Sequence, residues 1–588
     1  MSPKQRAFAG ALIPRSEMVY NKTKGSGDDY TMATGKAMTD MIEVKIKDLG
    51  SYKVAPGILL GDLCAPIQEQ RPHPIVAAII RNTLRDLHYR LDVDCEVEMV
   101  DTSTENGLRI YRRSASFLLI KACRDLFPQR TLMIKHTLSN GLYCEFLGET
   151  TTDNEIEQIQ EQMRKIVVRD LPINKYLIEN EEARRIFAGQ GQDDKVKLLR
   201  YRDKEAAHVY ELDGFKEYFY GYMVYRTGIL DKFKLLYLSP GMILRTPEKD
   251  DINLLKPYHE QKKLAIIHQE AKDWAEMLHV PHLAALNEII TKGDIDDIIR
   301  VNEALHEKKI AYIADSICNN PAIRLVLIAG PSSSGKTTFA QRLLIQLRVN
   351  GRRPVSVSLD NYFVDRSRTP LDENGDFDFE ALQALDLDLF NEHLTRLING
   401  EEVEIPVYNF KTGISENRGV KIKVPPGEPI IIEGIHGLNE RLTWRIPAVN
   451  KFKIYISALT QLNVDYSNRI PTTDSRLIRR IIRDSRTRGY SALNTIKCWP
   501  SVRRGEEKNI FPFQENADVM FNSSLVYELS VLKLYVEPLL EAIGNEHPEH
   551  VEASRLLRFL SYFRVIPSTN IPANSILREF IGGSWFEH

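Results

Sequence analysis

The sequence predicts a multidomain α/β protein whose C-terminal half is built on a mostly parallel, doubly wound sheet. Three observations predict it. The chain has 588 residues, more than one ordinary domain holds. After Pro321, five short β-branched runs ("IRLVLIAG", "RPVSVSLD", "EPIIIEG", "KFKIYISA" and "ADVMFNSS") are separated by helical lengths, the pattern of parallel strands buried on both faces. Ahead of them, residues 257–320 carry apolar side chains at three-and-four spacing with few glycines, as amphipathic helices do.

Taken in order, residues 1–40 are rich in Gly, Ser, Thr and Lys without apolar periodicity and read as a disordered leader. Residues 41–105 open with "MIEVKIKDLGSYKVAPG", which alternates at period two around a turn like a half-buried hairpin. The apolar stretch "HPIVAAIIRNTLRDL" supplies a helix and "VDCEVEMVD" a further strand, an order that suggests a β-grasp unit. Residues 106–235 form a second α/β segment, with helical "SASFLLIKACRDLF" followed by turn-forming "LSNGLYCEF". Residues 236–320 are a helical connector, 321–545 the parallel α/β domain, and 546–588 a tail packing on it.

Composition narrows the function classes. A formal net charge of −2, with 43% hydrophobic and 27% charged residues, gives the whole chain no pull toward nucleic acid or membrane. No run of 18 or more apolar residues appears, so no membrane partner is expected. The six cysteines include no C-x-x-C pair, which argues against a zinc ribbon or a disulfide framework and suits a reducing, cytoplasmic setting. The basic residues Lys4, Arg6, Arg15, Lys22 and Lys24 face the single acid Glu17, so an organelle presequence in residues 1–27 stands as the alternative.

The segment "GPSSSGKTT" spells a phosphate-binding loop: Gly330, Pro331, Ser332, Ser333, Ser334, Gly335, Lys336, Thr337 and Thr338. Such a loop needs glycines where backbone N–H groups approach phosphate oxygens, a lysine for the terminal phosphates and a hydroxyl for Mg²⁺. A strand before it and a helix after it supply the required context. Downstream, Asp360 ends "VSVSLD", Glu433 ends "PIIIE" and Asp378 lies in "NGDFDFE". Carboxylates at the C-terminal ends of such strands can hold Mg²⁺ or accept a proton from an attacking hydroxyl. The stretch from Asp372 to Gln383 is not a calcium loop, because Phe377 and Gln383 occupy the places of the required glycine and glutamate.

In "RLIRRIIRDSRTRG", Arg476, Arg479, Arg480 and Arg483 recur at helical spacing with Arg486 and Arg488 beyond, against one acid, Asp484. A lid closing guanidinium forks over a phosphoryl group, a nucleic-acid patch and a solvated helix face are the alternatives, and the phosphate loop favours the lid. The pair His279/His282 reads as a surface turn and His547/His550 as a loop, and His436 is a further site candidate.

With loop, acids and arginine helix in order, residues 321–530 resemble the uridine kinase/phosphoribulokinase family. The resemblance implies ATP and Mg²⁺ as cofactors and pyrimidine salvage as the setting. It assigns Lys336 to the phosphates, with Thr337, Asp360 and Glu433 toward the metal, and Asp360 also as base for the acceptor hydroxyl. Phe377 and Asp378 correspond to the pair that grips ribose hydroxyls; Tyr408 and Phe410 line the nucleoside pocket, with Tyr362 and Arg480 also on the substrate side. Arg480, Arg483 and Arg488 correspond to lid arginines, the last two joining Asp360 and Lys336 in the catalytic set. Two positions depart from the family. Gly413 stands where uridine kinases place a base-reading histidine, and Gly489-Tyr490 replaces the end of the lid motif.

Residues 41–105 and 106–235 resemble the TGS and second additional (editing-type) domains of threonyl-tRNA synthetases, on "VDCEVEMVDTSTENGLRIYRRSAS", "LSNGLYCEF" and "ELDGFKEYFYGYMVYRTG". Functional editing domains carry H-x-x-x-H and C-x-x-x-H. This chain has Arg113, Phe117, Phe219 and Met223 there, none a usual zinc ligand or neutral-pH proton shuttle, so a scaffold or binding module is expected.

The leading expectation is an ATP-dependent kinase acting on the 5′-hydroxyl of a uridine- or cytidine-like nucleoside. One alternative is a kinase of the same fold for another sugar or small alcohol. Another is a tRNA- or ribosome-associated regulator using the loop as a nucleotide switch, with RNA or tRNA contacted by the N-terminal domains. A homo-oligomer is compatible with each.

Overall fold

The computed structural model describes residues 41–202, 204–248, 255–372, 375, 377–409, 412–416, 419–460 and 462–586. The expected leader, residues 1–40, lies outside the described residues.

The first unit is a five-stranded sheet made by β1 (Ile42–Ile46), β2 (Gly50–Val54), β4 (Ile75–Ile80), β5 (Thr83–Asp86) and β7 (Cys95–Asp101), in the order β2-β1-β7-β4-β5. Only β1 and β7 run parallel. A short pair, β3 (Ile58–Leu59) and β6 (Arg90–Leu91), flanks α1 (Leu60–Gln68), whose Leu60, Leu63 and Ile67 close the core beneath the sheet. The expected helix at "HPIVAAIIRNTLRDL" is instead the β4–β5 hairpin. Its six-residue run "IVAAII" is buried almost throughout, and periodicity alone cannot tell such a run from a buried helix. Arg81 and Asn82, both at positive φ, turn the chain between the strands. The helix lies one segment earlier, at "LGDLCAPIQ".

The second unit joins α2 (Glu105–Leu126) and α3 (Asp153–Val168) to two antiparallel sheets. The four-stranded sheet takes β8 (Leu132–Leu138), β9 (Gly141–Phe146), β13 (Lys234–Leu238) and β14 (Gly241–Arg245). The three-stranded sheet takes β10 (Ile173–Glu179), β11 (Ala206–Leu212) and β12 (Phe215–Tyr218), with α4 (Asn180–Gly189) and α5 (Asp193–Arg200) between β10 and β11. Thr104 caps α2, and a reciprocal capping box between Thr152 and Glu155 opens α3. The start of the expected connector, residues 236–320, is instead strand, since β14 and the end of β13 belong to the four-stranded sheet; its helices are α6 (Lys262–Met277), α7 (Leu283–Lys292) and α8 (Ile295–Cys318).

The C-terminal unit is a parallel sheet of β15 (Leu325–Ala329), β16 (Val355–Ser358), β21 (Ile430–Glu433), β22 (Lys451–Ser457) and β23 (Val519–Asn522), in the order β16-β21-β15-β22-β23. Each strand is one of the five runs read from the sequence. Helices α9 (Lys336–Val349), α10 (Leu387–Ile398), α11 (Thr472–Arg483), α12 (Ala492–Asn509) and α13 (Glu528–Glu541) surround it, followed by α14 (His550–Leu560) and α15 (Arg578–Ile581). Two small antiparallel pairs, β17 (Glu402–Glu404) with β20 (Lys421–Lys423) and β18 (Val407–Asn409) with β19 (Ile414–Glu416), lie in the segment between α10 and β21.

One hydrophobic core runs through β11, α7, α8, α9, α11, α13 and α14, so connector and sheet are buried against each other rather than tethered. The loop ahead of α11 docks into the second unit. The Ile134 backbone amide donates to the Tyr466 carbonyl at 2.8 Å, and Asn468 Nδ2 donates to the Tyr218 carbonyl at 2.8 Å.

Candidate functional site

The phosphate loop leaves β15, the central strand, and enters α9. Gly335 sits at φ +83°, and a Cβ there would lie 2.6 Å from Ile576, so the turn and the close approach both call for glycine. The loop's carbonyls are tied down from behind: Arg476 Nε donates to Ser332 O at 2.9 Å and Ser523 Oγ to Ser334 O at 2.5 Å. Lys336 Nζ rests on Gly330 O and Pro331 O at 3.1 and 3.3 Å. Burial pulls its ammonium pKa down, against the opposing pull of Glu433 and Glu579.

Thr337 Oγ1 donates to Glu433 Oε1 at 2.9 Å, linking the loop to the end of β21. Burial raises the Glu433 carboxyl above its ordinary value; Lys336 pulls it down, and Glu579 and Asp360 push it up. Asp360, just past β16, is exposed and lies within the electrostatic reach of Lys336 and Arg488. Its carboxyl is raised by desolvation, with those two cations pulling the other way. Lys336, Thr337, Asp360 and Glu433 thus share one charged cleft at the C-terminal ends of adjacent strands, the place where open α/β sheets gather ligands. A hydroxyl and two carboxylates are hard oxygen donors of the kind Mg²⁺ takes, with phosphate oxygens and water completing the shell. Among the described residues, no group of three or more His, Cys, Asp or Glu is placed to hold a metal by itself.

The arginine helix divides into two sets. Arg476 and Arg479 are fully buried: Arg476 pairs with Glu506 and lies over Trp499, and Arg479 pairs with Glu528 at 2.5 Å. Their charge is spent on framing the loop from behind. Arg480 donates to Ser332 Oγ at 2.7 Å and to Asp484 Oδ2 at 3.1 Å. Arg483 donates to Asp484 at 3.0 Å and Arg488 lies 3.6 Å from it. Asp484, the one acid in the run, is therefore the buried hub that holds Arg480, Arg483 and Arg488 together, while Arg486 turns to the Phe580 carbonyl.

Phe377, Phe379, Phe363 and Tyr408 form a continuous chain of aromatic rings, with successive ring centroids 6.1, 6.2 and 5.4 Å apart. Phe363 and Phe379 stand next to the candidates Tyr362 and Asp378 in the sequence, where nothing local says which of two neighbouring side chains joins this group. Asp378 accepts from the Glu380 amide at 3.1 Å and lies 3.6 Å from Lys508 Nζ. Glu380, also missed, is raised to about 6 by burial and by Glu506, against Arg480 and Lys336. His436 is lowered to about 4 by burial and lies beside Asp378. Tyr362 does not join this group: it is buried on Phe390 with its hydroxyl 3.1 Å from His393 Nδ1. Phe410 lies outside the described residues. Gly413 sits at φ +74°, and a Cβ there would lie 2.8 Å from Arg366 Nε, so Arg366 fills the space beside the position of the family's histidine.

In the second unit, the four editing-motif positions converge but are filled. Phe117 meets Phe219 edge-on at 5.5 Å, Met223 is buried beside Ser114, and Arg113 donates to the Tyr222 carbonyl at 2.8 Å. Small cavities of about 50 and 30 Å³ lie where the second unit meets C-terminal residues, the first beside Tyr466 and Ser467 and the second beside Arg558 and Tyr562, and no residue of the phosphate loop lines either. Among the described residues, no helix is long and apolar enough to cross a membrane.

The phosphoribulokinase/uridine kinase family matches residues 325–530. Threonine–tRNA ligase of Symbiobacterium thermophilum is 31% identical over 205 residues, covering 34% of this chain and 31% of the ligase. Threonine–tRNA ligase 1 of Bacillus subtilis is 30% identical over 204 residues, with shares of 34% and 32%. The chain thus spans about a third of the length of these relatives. A possible uridine kinase from Bacillus stearothermophilus aligns at 19% identity and a TM-score of 0.23, covering 36% of this chain and 97% of that one. A putative fructose transport system kinase from Silicibacter sp. TM1040 aligns at 16% identity and a TM-score of 0.26, with shares of 36% and 98%. Residues 325–530 are a domain of the phosphoribulokinase/uridine kinase family, joined in one chain to an N-terminal region that matches threonine–tRNA ligases over about a third of the chain.

Proposed function

We propose that the chain transfers the γ-phosphate of ATP to the 5′-hydroxyl of a uridine- or cytidine-like nucleoside. The observation that carries this reading is the shared cleft of Lys336, Thr337, Asp360 and Glu433, with the 2.9 Å link between Thr337 and Glu433 at its centre. Thr337, Glu433 and Asp360 would hold Mg²⁺, which when bound neutralises charge on the β- and γ-phosphate oxygens. Asp360 accepts the acceptor's proton, and its raised carboxyl makes it a stronger base than an ordinary aspartate. Lys336, Arg480, Arg483 and Arg488 offset charge on the transferring group, and the loop amides hold the triphosphate in line. Asp378 takes acceptor hydroxyls, with the aromatic rings offering an apolar face beside it.

Gly413 favours a second reading on the acceptor side alone. Without a histidine there, and with Arg366 in the adjoining space, the pocket loses a group for rejecting other bases, and another sugar or small alcohol becomes the competing acceptor. In a third reading, the N-terminal region contacts tRNA and the loop serves as a switch. Label transfer from γ-labelled ATP to a panel of nucleosides, sugars and sugar phosphates separates them. A labelled nucleoside 5′-monophosphate is the expected product. Labelling of a sugar alone supports the second reading, and ATP hydrolysis stimulated by tRNA with no labelled acceptor supports the third.

A further inference from the structure

Helix α9 begins at Lys336, and the first amide bonded back to the loop is Phe339, which donates to Gly335 O at 3.1 Å. The amides of Lys336, Thr337 and Thr338 are therefore the unmatched donors of a helix N-terminus, the groups that a phosphate loop offers to the α- and β-phosphates. A protein carboxylate already holds one of these positions. Glu579 Oε2 accepts from Thr338 Oγ1 at 2.9 Å and from the Thr338 amide at 3.4 Å. Both residues are buried, and Glu579 lies within the electrostatic reach of Lys336 and Glu433.

The segment carrying Glu579 is seated between the loop and the arginine helix. Ile576 fills the space over Gly335. Arg479 lies 5.1 Å over the Phe580 ring, and Arg486 Nη1 donates to the Phe580 carbonyl at 2.5 Å. A phosphate oxygen and the Glu579 carboxylate cannot accept the same two Thr338 donors at once. Like charge adds a further cost where water is excluded.

We infer that the C-terminal segment is a built-in occupant of the nucleotide's α-phosphate position, held by Glu579, and that ATP binds only as this carboxylate is displaced from Thr338. The inference rests on the phosphate-site reading above and adds that the site is self-occupied. A first ligand that must displace a docked group binds with an affinity reduced by the fraction of open sites; a segment docked about nine-tenths of the time weakens binding roughly tenfold.

The test measures ATP binding by calorimetry on the full chain, for the wild type, E579Q and K336A, with hydrogen exchange of residues 576–582. The expected results are that E579Q binds ATP about tenfold or more tightly than the wild type, and that ATP speeds exchange of the α15 amides in the wild type. Equal or weaker binding by E579Q, with binding abolished by K336A, overturns the self-occupied site and leaves the phosphate-site reading standing. Slower exchange on adding ATP also overturns it, because the segment is then a wall of the site. No ATP binding by either the wild type or E579Q at millimolar concentration defeats both readings together. If E579Q melts well below the wild type, E579D takes its place: it keeps the charge but draws the carboxylate back, and it too must bind ATP more tightly for the inference to stand.

Discussion

The Asp360 carboxyl is balanced between desolvation, which raises it, and the cations Lys336 and Arg488, which lower it. In the proposed reaction the ionised form is the working one, so the rate falls as pH drops through the pKa of this group. Replacing Arg488 by Gln removes a charge that favours the carboxylate, so the acid limb of the kcat profile moves to higher pH. An unmoved acid limb in R488Q removes Arg488 from the field around Asp360. Lys336 and Thr337 were legible in the sequence because the loop motif is contiguous and its chemistry fixes the spacing. Glu506 and Glu579 were not. They reach the loop from positions about 170 and 240 residues downstream, with no local pattern to mark them.

At the scale of the element, helix α11 shows what periodicity can and cannot say. The spacing put Arg476, Arg479, Arg480 and Arg483 on one helix, which the structure bears out, but charge density alone does not say which guanidinium is buried. The neighbours decide. Glu506 and Glu528 come from α12 and α13 and draw Arg476 and Arg479 inward, while Asp484 holds the others near the cleft. Removing Arg479 leaves the Glu528 carboxylate buried and unpaired, so R479A should lose about 3–5 kcal/mol in denaturant unfolding. R480A leaves Asp484 paired with Arg483 and Arg488, so it should lose less, about 1 kcal/mol, while losing turnover. Equal destabilisation by the two variants would contradict this division of labour. The β4–β5 hairpin is the converse case. A run of apolar residues fitted helix and strand alike, and only the partners β5 and β7 settled it.

At the scale of the molecule, the N-terminal region is bolted to the arginine helix by a partly buried chain of charge. Arg109 on α2 pairs with Glu552 at 2.7 Å, Glu552 with Arg555 at 2.7 Å, and Arg555 with Asp474 in the first turn of α11 at 2.7 Å. Burial would raise the Glu552 carboxyl, but Arg109 and Arg555 hold it far below its ordinary value of 4.5. A depressed carboxyl contributes stability above its unfolded pKa and loses it as pH falls, so the wild type should lose melting temperature steeply below about pH 5. E552Q should melt lower at neutral pH and show a flatter acid slope; parallel curves for the two proteins would contradict the role given to this pair. The sequence showed the order of the units through turns, strand patterns and helix spacing. It did not show how they dock, because these pairings join positions hundreds of residues apart and no local pattern records them.

The measurement that tests the central claim most directly compares the wild type with D360N, reading ATP affinity by calorimetry and acceptor phosphorylation under single-turnover conditions. The account predicts nearly unchanged ATP binding and a loss of roughly 10²–10⁴-fold in phosphoryl transfer. Transfer at a near-normal rate in D360N would contradict it.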